Sequence, residues 1–136
     1  AGDSGPYLQY TYARLKSILR KSKIESQKSK KVDFEKLNGG PEMALMRKIF
    51  EFPDAIQKSR ELLMTSVLAN YLYKLAGIAN KFYETTPILS SKGGSASGGN
   101  DENGSRRAAR LVLIEIASRV LKTGLSLLGI QAPEKI

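Results

Sequence analysis

Apolar residues recur at intervals of three and four along most of the chain, which is the pattern of amphipathic α-helices. The clearest repeat begins at Thr65 or Ser66, either of which can cap a helix, and ends before Pro87. No window alternates with a period of two over a useful length, so the pattern predicts an all-α fold, a bundle of about five helices. The core side of this clearest helix is predicted to consist of Leu68, Tyr71, Leu72, Leu75, Ala79, Phe82 and Tyr83, with Tyr73 left open.

The same periodicity predicts four other helices, at residues 6–22, from 41, from 53 and at 106–128. Pro53 ends the second helix and can be the first residue of the third. Gly129 suits the end of the last helix, whereas Gly124 inside it predicts close packing. We expect Ile130 to dock on the bundle. The predicted core-facing residues are Leu8, Leu15, Ile18 and Leu19 in the first helix, Ala44, Leu45, Ile49 and Phe52 in the second, Ala55, Ile56, Ser59, Leu62 and Leu63 in the third, and Leu111, Ile114, Ala117, Val120, Leu121, Leu125 and Leu128 in the last.

Two segments carry too few apolar residues to form part of a core. Residues 23–36 are rich in lysine and serine, and we predict a basic loop there. Residues 90–105 are mostly serine and glycine, and we predict a flexible loop to which we assign no function. With 136 residues, the chain is expected to form one domain, residues 1–136, with a hydrophobic core.

Positive charge is concentrated in the first quarter of the chain. The whole sequence has 22 lysine and arginine residues against 13 acidic residues, which gives a net charge of +9. Between Arg14 and Lys31 there are eight basic residues and one acid, Glu25, so this segment alone carries +7. Such a cluster is the electrostatic footprint expected of a protein that binds nucleic acid or an acidic membrane surface.

Three tyrosines, Tyr7, Tyr10 and Tyr12, directly precede this basic segment. They spread so widely around a helix that at least one should be exposed. Aromatic rings beside dense positive charge suit an unpaired nucleic-acid loop, because bases stack on the rings and cations neutralise the phosphates. A solvated helix face with tyrosines at the edge of the core explains the same residues, so these features alone leave both interpretations open.

The sequence offers little for catalysis. Cysteine and histidine are both absent, which excludes disulfides, zinc fingers and every nucleophile–histidine pair. No phosphate-binding glycine motif opens a predicted helix, and the acids occur singly, mostly at helix starts or on polar faces. We therefore predict no catalytic residue and no metal site, and we find no pattern of a membrane span or a signal peptide.

Five segments resemble arginyl-tRNA synthetases, a family of class I aminoacyl-tRNA synthetases, at their C-terminal DALR-type anticodon-binding domain. The first reads Gly-Pro-Tyr-x-Gln-Tyr-x-x-Ala-Arg, and the last reads Val-Leu-x-x-Gly-Leu-x-Leu-Leu-Gly-Ile-x-Ala-Pro-Glu-Lys-Ile. The family's His-x-Gly-His and Lys-Met-Ser-Lys motifs are absent, and Ile136 stands where methionine is usual. The five segments follow the family's order and cover nearly the whole chain, at residues 5–14, 42–54, 68–83, 110–113 and 120–136.

The resemblance implies a domain that grips the anticodon stem-loop of arginine tRNA. A catalytic domain absent from this chain would then perform the ATP-dependent aminoacylation, with ATP and Mg bound there and no cofactor bound here. Residues 1–5 would be the exit from that catalytic domain, and the protein would be a cytoplasmic monomer. The resemblance predicts most of the tRNA-binding residues, and the basic run adds Arg20 and Lys21. The complete predicted set is Tyr7, Gln9, Tyr10, Arg14, Arg20, Lys21, Thr86, Lys135 and Ile136.

Two other functions remain open on the residues alone. The chain could be a basic helical protein-interaction module without sequence-specific RNA binding. It could also lie as a basic helix on an acidic membrane, although it lacks a broad apolar face rich in Trp or Phe. Specific RNA binding through phosphates should weaken steeply with salt, which separates it from the protein-interaction alternative.

Overall fold

Over the residues that the structure describes, the chain forms a bundle of five α-helices. A computed structural model describes residues 4–22, 33–86 and 101–135, and this part of the chain contains no strand. The predicted all-α bundle is therefore confirmed. The helices are α1 (Ser4–Lys21), α2 (Gly40–Phe50), α3 (Phe52–Leu62), α4 (Thr65–Thr85) and α5 (Asp101–Leu127), with a 3₁₀ turn at Phe34–Lys36.

Helix α4 lies at the centre of the bundle and packs against each of the other four helices. Its predicted apolar side is confirmed for six of the seven residues, and Tyr73 proves to be half exposed. The hydroxyl of Tyr71 donates a hydrogen bond to the carbonyl oxygen of Lys48, and burial together with the nearby Glu51 carboxylate raises the pKa of this tyrosine. The buried residues of α4 are Leu68, Tyr71, Leu72, Leu75, Ala76, Ala79 and Phe82.

The side-chain contacts fix the directions of the helices. Helices α1 and α4 run parallel, since the Tyr7 ring lies 5.1 Å from the Tyr73 ring and the Arg14 guanidinium lies 4.5 Å from the Tyr83 ring centroid. Helix α5 runs the other way, since Ile130, just beyond its end, lies beside Gly5 at the start of α1. The predicted docking of Ile130 on the bundle is confirmed. We call the end of the bundle where α1 and α4 begin and α5 ends the proximal end.

The close packing predicted at Gly124 is confirmed. A Cβ atom added there would lie 2.5 Å from both Cδ atoms of Leu72, a fully buried residue of α4. Helix α5 therefore approaches α4 more closely than any side chain at this position would allow. At the end of α5, Gly129 has a φ of 75°, the left-handed conformation expected of a glycine that closes a helix.

A buried ion pair joins the start of α2 to α5. Glu42 is 2% exposed, and its Oε1 atom accepts a hydrogen bond of 2.6 Å from Nε of Arg110. Its other carboxylate oxygen accepts a hydrogen bond of 2.9 Å from the backbone N–H of Gly39. One side chain thus caps α2 and holds that helix against α5.

Helix α5 begins earlier than predicted, at Asp101 rather than Arg106. The flexible loop predicted to continue to Ser105 is therefore wrong over residues 101–105. The rest of that predicted loop, residues 90–100, lies outside the described residues, as do residues 23–32 of the predicted basic loop.

The turn between α3 and α4 contradicts two further predictions. Leu62 and Leu63 were expected in the core, but they are 52% and 91% exposed. Met64 occupies the N-cap position of α4, where Thr65 or Ser66 was expected, and no side chain caps that helix. Helical periodicity placed the two leucines on an apolar side without showing whether another helix covers it.

The Gly124 contact yields a stability test with a matched control. Gly77 also lies inside a helix, but it is exposed and an added Cβ would meet nothing within 4 Å. Replacement by alanine brings the same propensity gain of about 1 kcal/mol at both positions, whereas overpacking at Gly124 costs about 1–3 kcal/mol. Denaturant unfolding should therefore show Gly77→Ala to be more stable than Gly124→Ala by about 1–3 kcal/mol. Equal stabilities would contradict the close contact with Leu72.

Candidate nucleic-acid interface

A groove of about 480 Å³ runs along the second half of α1. One wall is α1 itself, the second is Tyr83 near the end of α4, and the third is formed by Glu134 and Lys135 beyond α5. We call it the α1 groove. The residues that line it are Tyr10, Ala13, Arg14, Ser17, Ile18, Arg20, Lys21, Tyr83, Glu134 and Lys135.

The α1 side of this groove follows directly from helix geometry. Tyr10, Arg14, Ser17 and Lys21 are spaced by four, three and four residues, so they lie on one face of the helix. Tyr10 is 57% exposed, whereas Tyr12 is buried against the core, which confirms that the tyrosines of α1 do not all face one core. Burial and the Glu134 carboxylate raise the pKa of Tyr12 above its usual value.

Arg14 is the most tightly held cation of the groove. Its guanidinium lies over the Tyr83 ring at 4.5 Å from the centroid, and its Nη1 atom donates a hydrogen bond of 3.2 Å to Oδ1 of Asn80. The same nitrogen lies 3.9 Å from the Glu84 carboxylate. These three contacts, with the Tyr83 ring, the Asn80 amide and the Glu84 carboxylate, fix the direction of the Arg14 side chain at the edge of the groove.

Asn80 of α4 links these groove residues to the body of α1. Its Nδ2 atom donates hydrogen bonds of 3.1 Å to the hydroxyl oxygens of both Tyr7 and Thr11. Thr11 is fully buried, so its hydroxyl depends on a partner within the protein. Asn80 thus satisfies two hydroxyls of α1 while it positions Arg14.

The chain beyond α5 turns back and runs along α1. The side-chain amide of Gln9 donates a hydrogen bond of 2.9 Å to the carbonyl oxygen of Gln131, and Arg20 donates one of 3.3 Å to the carbonyl oxygen of Glu134. The Glu134 carboxylate lies 3.8 Å from Nζ of Lys16. These contacts hold residues 131–134 against α1 and bring Lys135 to the groove.

The structure brings together five of the nine predicted tRNA-binding residues, all on the wall of the α1 groove. Gln9 instead holds the returning segment, and Tyr7 packs between α1 and α4 with its hydroxyl bonded to Asn80. Thr86 is only 6% exposed, so its side chain offers little surface to a ligand, and Ile136 lies outside the described residues. The five groove residues are Tyr10, Arg14, Arg20, Lys21 and Lys135.

Sequence reasoning assigned Tyr83 to the core and missed Asn80 and Glu134. Tyr83 does pack at the edge of the core, but the part left exposed lines the groove beneath Arg14. An asparagine on the polar side of a helix gives no signal of its partners, which here lie 66 to 73 residues away in the chain. Glu134 gave no signal either, because only the tertiary fold brings its carboxylate to the basic residues of α1.

The described residues also bear on two other possibilities, a metal site and a membrane-spanning helix. No group of three or more acidic residues is placed to hold a metal ion in this part of the chain. None of the helices, over the residues that the structure describes, is long and apolar enough to cross a membrane. Within these limits, the α1 groove is where the predicted binding residues meet.

The described residues thus form a helical domain of the class that carries an aromatic and cationic groove on its surface. The family model of the DALR anticodon binding domain matches residues 8–136. The chain therefore belongs to the DALR anticodon-binding family.

Known proteins similar to this chain are several times longer than it is. The arginine–tRNA ligases of Halothermothrix orenii and Bdellovibrio bacteriovorus are 39% and 37% identical to it over 135 residues. These matches cover 99% of this chain but only 22% and 21% of the relatives. The structure of Thermus thermophilus arginyl-tRNA synthetase is similar, with a TM-score of 0.79 and 34% identity over 97% of this chain and 21% of that one. The chain thus spans about a fifth of these proteins.

The role of Asn80 can be tested by its replacement with alanine. This change removes one partner each from Tyr7, Thr11 and Arg14, and a buried hydroxyl left without its partner costs about 1–3 kcal/mol. Denaturant unfolding of Asn80→Ala should show a loss of this size. Asn70→Ala is the control, because Asn70 is exposed on the same helix and surface changes usually stay within about 0.5 kcal/mol. Similar losses in the two variants would show that the Asn80 hydrogen bonds contribute little.

Proposed function

We propose that this chain is the tRNA anticodon-binding domain of an arginine–tRNA ligase. It would grip the anticodon stem-loop of arginine tRNA and so position the tRNA for ATP-dependent aminoacylation by a catalytic domain outside this chain. The observation that carries the proposal is the α1 groove, which gathers an exposed tyrosine and four cations inside the region matched by the anticodon-binding family. The proposal names arginine as the amino acid because the similar proteins are arginine–tRNA ligases.

The groove has the chemistry that a single-stranded RNA loop requires. The Tyr10 ring is exposed, so an unstacked base can lie against it. Arg14, Arg20, Lys21 and Lys135 can neutralise phosphates, and such contacts fix the register of the RNA without reading its sequence. The identity of the bases must then be read by stacking and by hydrogen bonds at their edges.

The number of cations in the groove sets the expected dependence on salt. For single strands, log K falls with log[salt] by about 0.7 for each phosphate neutralised. Four groove cations therefore predict a slope of about −3 if each of them meets one phosphate. The net charge of +9 would also attract RNA without any preferred site and would give a salt dependence of its own. The slope therefore has to be compared between variants of single lysines inside and outside the groove.

The remaining parts of the proposal concern the longer protein. The chain would act as part of a cytoplasmic, monomeric ligase whose ATP and Mg²⁺ bind in the catalytic domain. By itself it would bind the stem-loop but charge no tRNA. The predicted contact at Ile136, which lies outside the described residues, stays a prediction.

A titration with two RNA hairpins tests this function. One hairpin is the anticodon stem-loop of an arginine tRNA, and the other has the same stem with a scrambled anticodon. The arginine hairpin should bind more tightly, with a salt slope of about −3. Tyr10→Ala should weaken binding by about 1–3 kcal/mol, because it removes the stacking surface, whereas Tyr10→Phe should retain most of the affinity.

A second pair of variants in the same titration separates a site from general charge. Lys21 lines the groove, whereas Lys58 is exposed on α3, and replacing either by alanine lowers the net charge equally. Only Lys21→Ala should reduce the salt slope, by about 0.7. Equal binding of both hairpins, with equal effects of the two lysines, would leave only polycation behaviour. That result would favour a helical protein-interaction module.

A further inference from the structure

The α1 groove combines four cations with a single carboxylate. Among the described residues that line the groove, Glu134 is the one acid, and its side chain is 57% exposed. A carboxylate repels phosphates, so it weakens the binding of an RNA backbone in a groove that is otherwise cationic. Contact with phosphates therefore does not explain why an acid lies in this wall.

The backbone that leads to Glu134 is held in place. The chain leaves α5 at the proximal end, and Ala132 packs against the core. The side-chain amide of Gln9 bonds to the carbonyl oxygen of Gln131, and the guanidinium of Arg20 bonds to the carbonyl oxygen of Glu134. Because this segment is already ordered, its backbone loses little conformational freedom when the carboxylate meets a ligand.

The Glu134 carboxylate keeps its capacity to accept hydrogen bonds. Its Oε1 atom lies 3.8 Å from Nζ of Lys16, which is longer than a hydrogen bond. The carboxylate of Glu42 differs, because one of its oxygens accepts a hydrogen bond from Arg110 and the other accepts one from the backbone of Gly39. No such donor reaches the Glu134 carboxylate within the described part of the chain. The acid of the groove is therefore available to a ligand.

The four bases of RNA differ in what they offer to a carboxylate. An ionised carboxylate only accepts hydrogen bonds. Adenine, cytosine and guanine each carry an amino group that donates from an edge of the base, whereas uracil carries two carbonyl oxygens that repel a carboxylate. Stacking on a tyrosine ring tolerates every base, because each has a π-face. A carboxylate in the groove therefore distinguishes amino-bearing bases from uracil, which stacking does not.

We propose that Glu134 selects the base that turns into the α1 groove. Its carboxylate accepts a hydrogen bond from the amino group of adenine, cytosine or guanine, and it disfavours uracil. The inference rests on the proposed function, in which an unpaired RNA loop occupies the groove, and it names the residue that reads a base there. In this division of roles, Arg20 and Lys21 hold phosphates, while Glu134 contributes specificity at some loss of affinity.

A panel of RNA hairpins tests this proposal. Each unpaired base of the arginine anticodon loop that bears an amino group is replaced in turn by uracil, and every hairpin is titrated with the chain. One replacement should weaken binding to the wild-type chain by about tenfold, a factor that corresponds to about 1.4 kcal/mol. A penalty of this size is typical of one well-placed hydrogen-bonded pair between a side chain and a base.

The variant Glu134→Gln should remove the uracil penalty. A glutamine amide both donates and accepts hydrogen bonds, so it can pair with uracil as well as with an amino-bearing base. The uracil hairpin should therefore bind this variant more tightly than it binds the wild-type chain, and its affinity should approach that of the arginine hairpin. Because Glu134 is exposed, the midpoint temperature of unfolding should change little.

Two control variants separate base selection from general charge and from structure. Glu61→Gln removes an exposed acid of α3, so it changes the net charge equally and should leave the uracil penalty intact. Lys16→Met removes the ion pair with Glu134, and Lys16 itself does not line the groove. The bonds from Gln9 and Arg20 still hold the segment in this variant, so it too should keep the penalty.

Each possible outcome bears on a different claim. An equal uracil penalty in the wild-type chain and in Glu134→Gln would overturn this inference alone, provided that the arginine hairpin still binds more tightly than the scrambled one. Loss of the penalty in Lys16→Met as well would reduce Glu134 to a structural role and would also overturn it. A penalty that depends on Glu134 without any preference for the arginine anticodon would overturn only the proposed function. Uniform binding of all hairpins would contradict both.

Discussion

The burial of α4 is the constraint on which the rest of the structure depends. Its buried residues form one broad apolar side, so the helix is stable only when its neighbours cover that side. Gly124 lets α5 approach until the α5 backbone meets Leu72, and Tyr71 reaches the backbone of α2 with its hydroxyl. Asn80 and Tyr83 extend the same helix to α1, where they hold Arg14. The helix that organises the core therefore also organises the candidate binding surface.

The ion pair between Glu42 and Arg110 stabilises a different part of the bundle. Taking the two charges out of water is costly, and the cost is offset here because the carboxylate also accepts a hydrogen bond from Gly39. Removing one partner of such a buried pair typically costs about 3–5 kcal/mol. The pair fixes where α2 begins relative to α5.

The fold could be predicted from the sequence wherever apolar periodicity and burial coincide. The apolar sides of α1, α4 and α5 are long enough for the repeat to be unambiguous, and proline or glycine marks several of their ends. Glu42 could not be placed, because an acid in a first helical turn is usually solvated and its partner lies 68 residues away. Leu62 and Leu63 were misplaced because periodicity identifies an apolar face without showing whether another helix covers it. The candidate site was predictable on α1, whereas Tyr83 and Glu134 join it only through the tertiary fold.

The charges of the α1 groove are unequal, and their arrangement constrains how an RNA strand could lie in it. Arg14 is already held by a ring, an amide and a carboxylate, so it loses little conformational freedom on binding, whereas the exposed Arg20 and Lys21 lose more. Glu134 places a carboxylate on the opposite wall, where it repels phosphate. Under the proposed function, the phosphates should follow the α1 cations Arg14, Arg20 and Lys21, and the bases should stack at the Tyr10 end of the groove or turn toward Glu134. A carboxylate can accept hydrogen bonds from base amino groups, so the one acid of the groove is suited to reading bases rather than to binding the backbone.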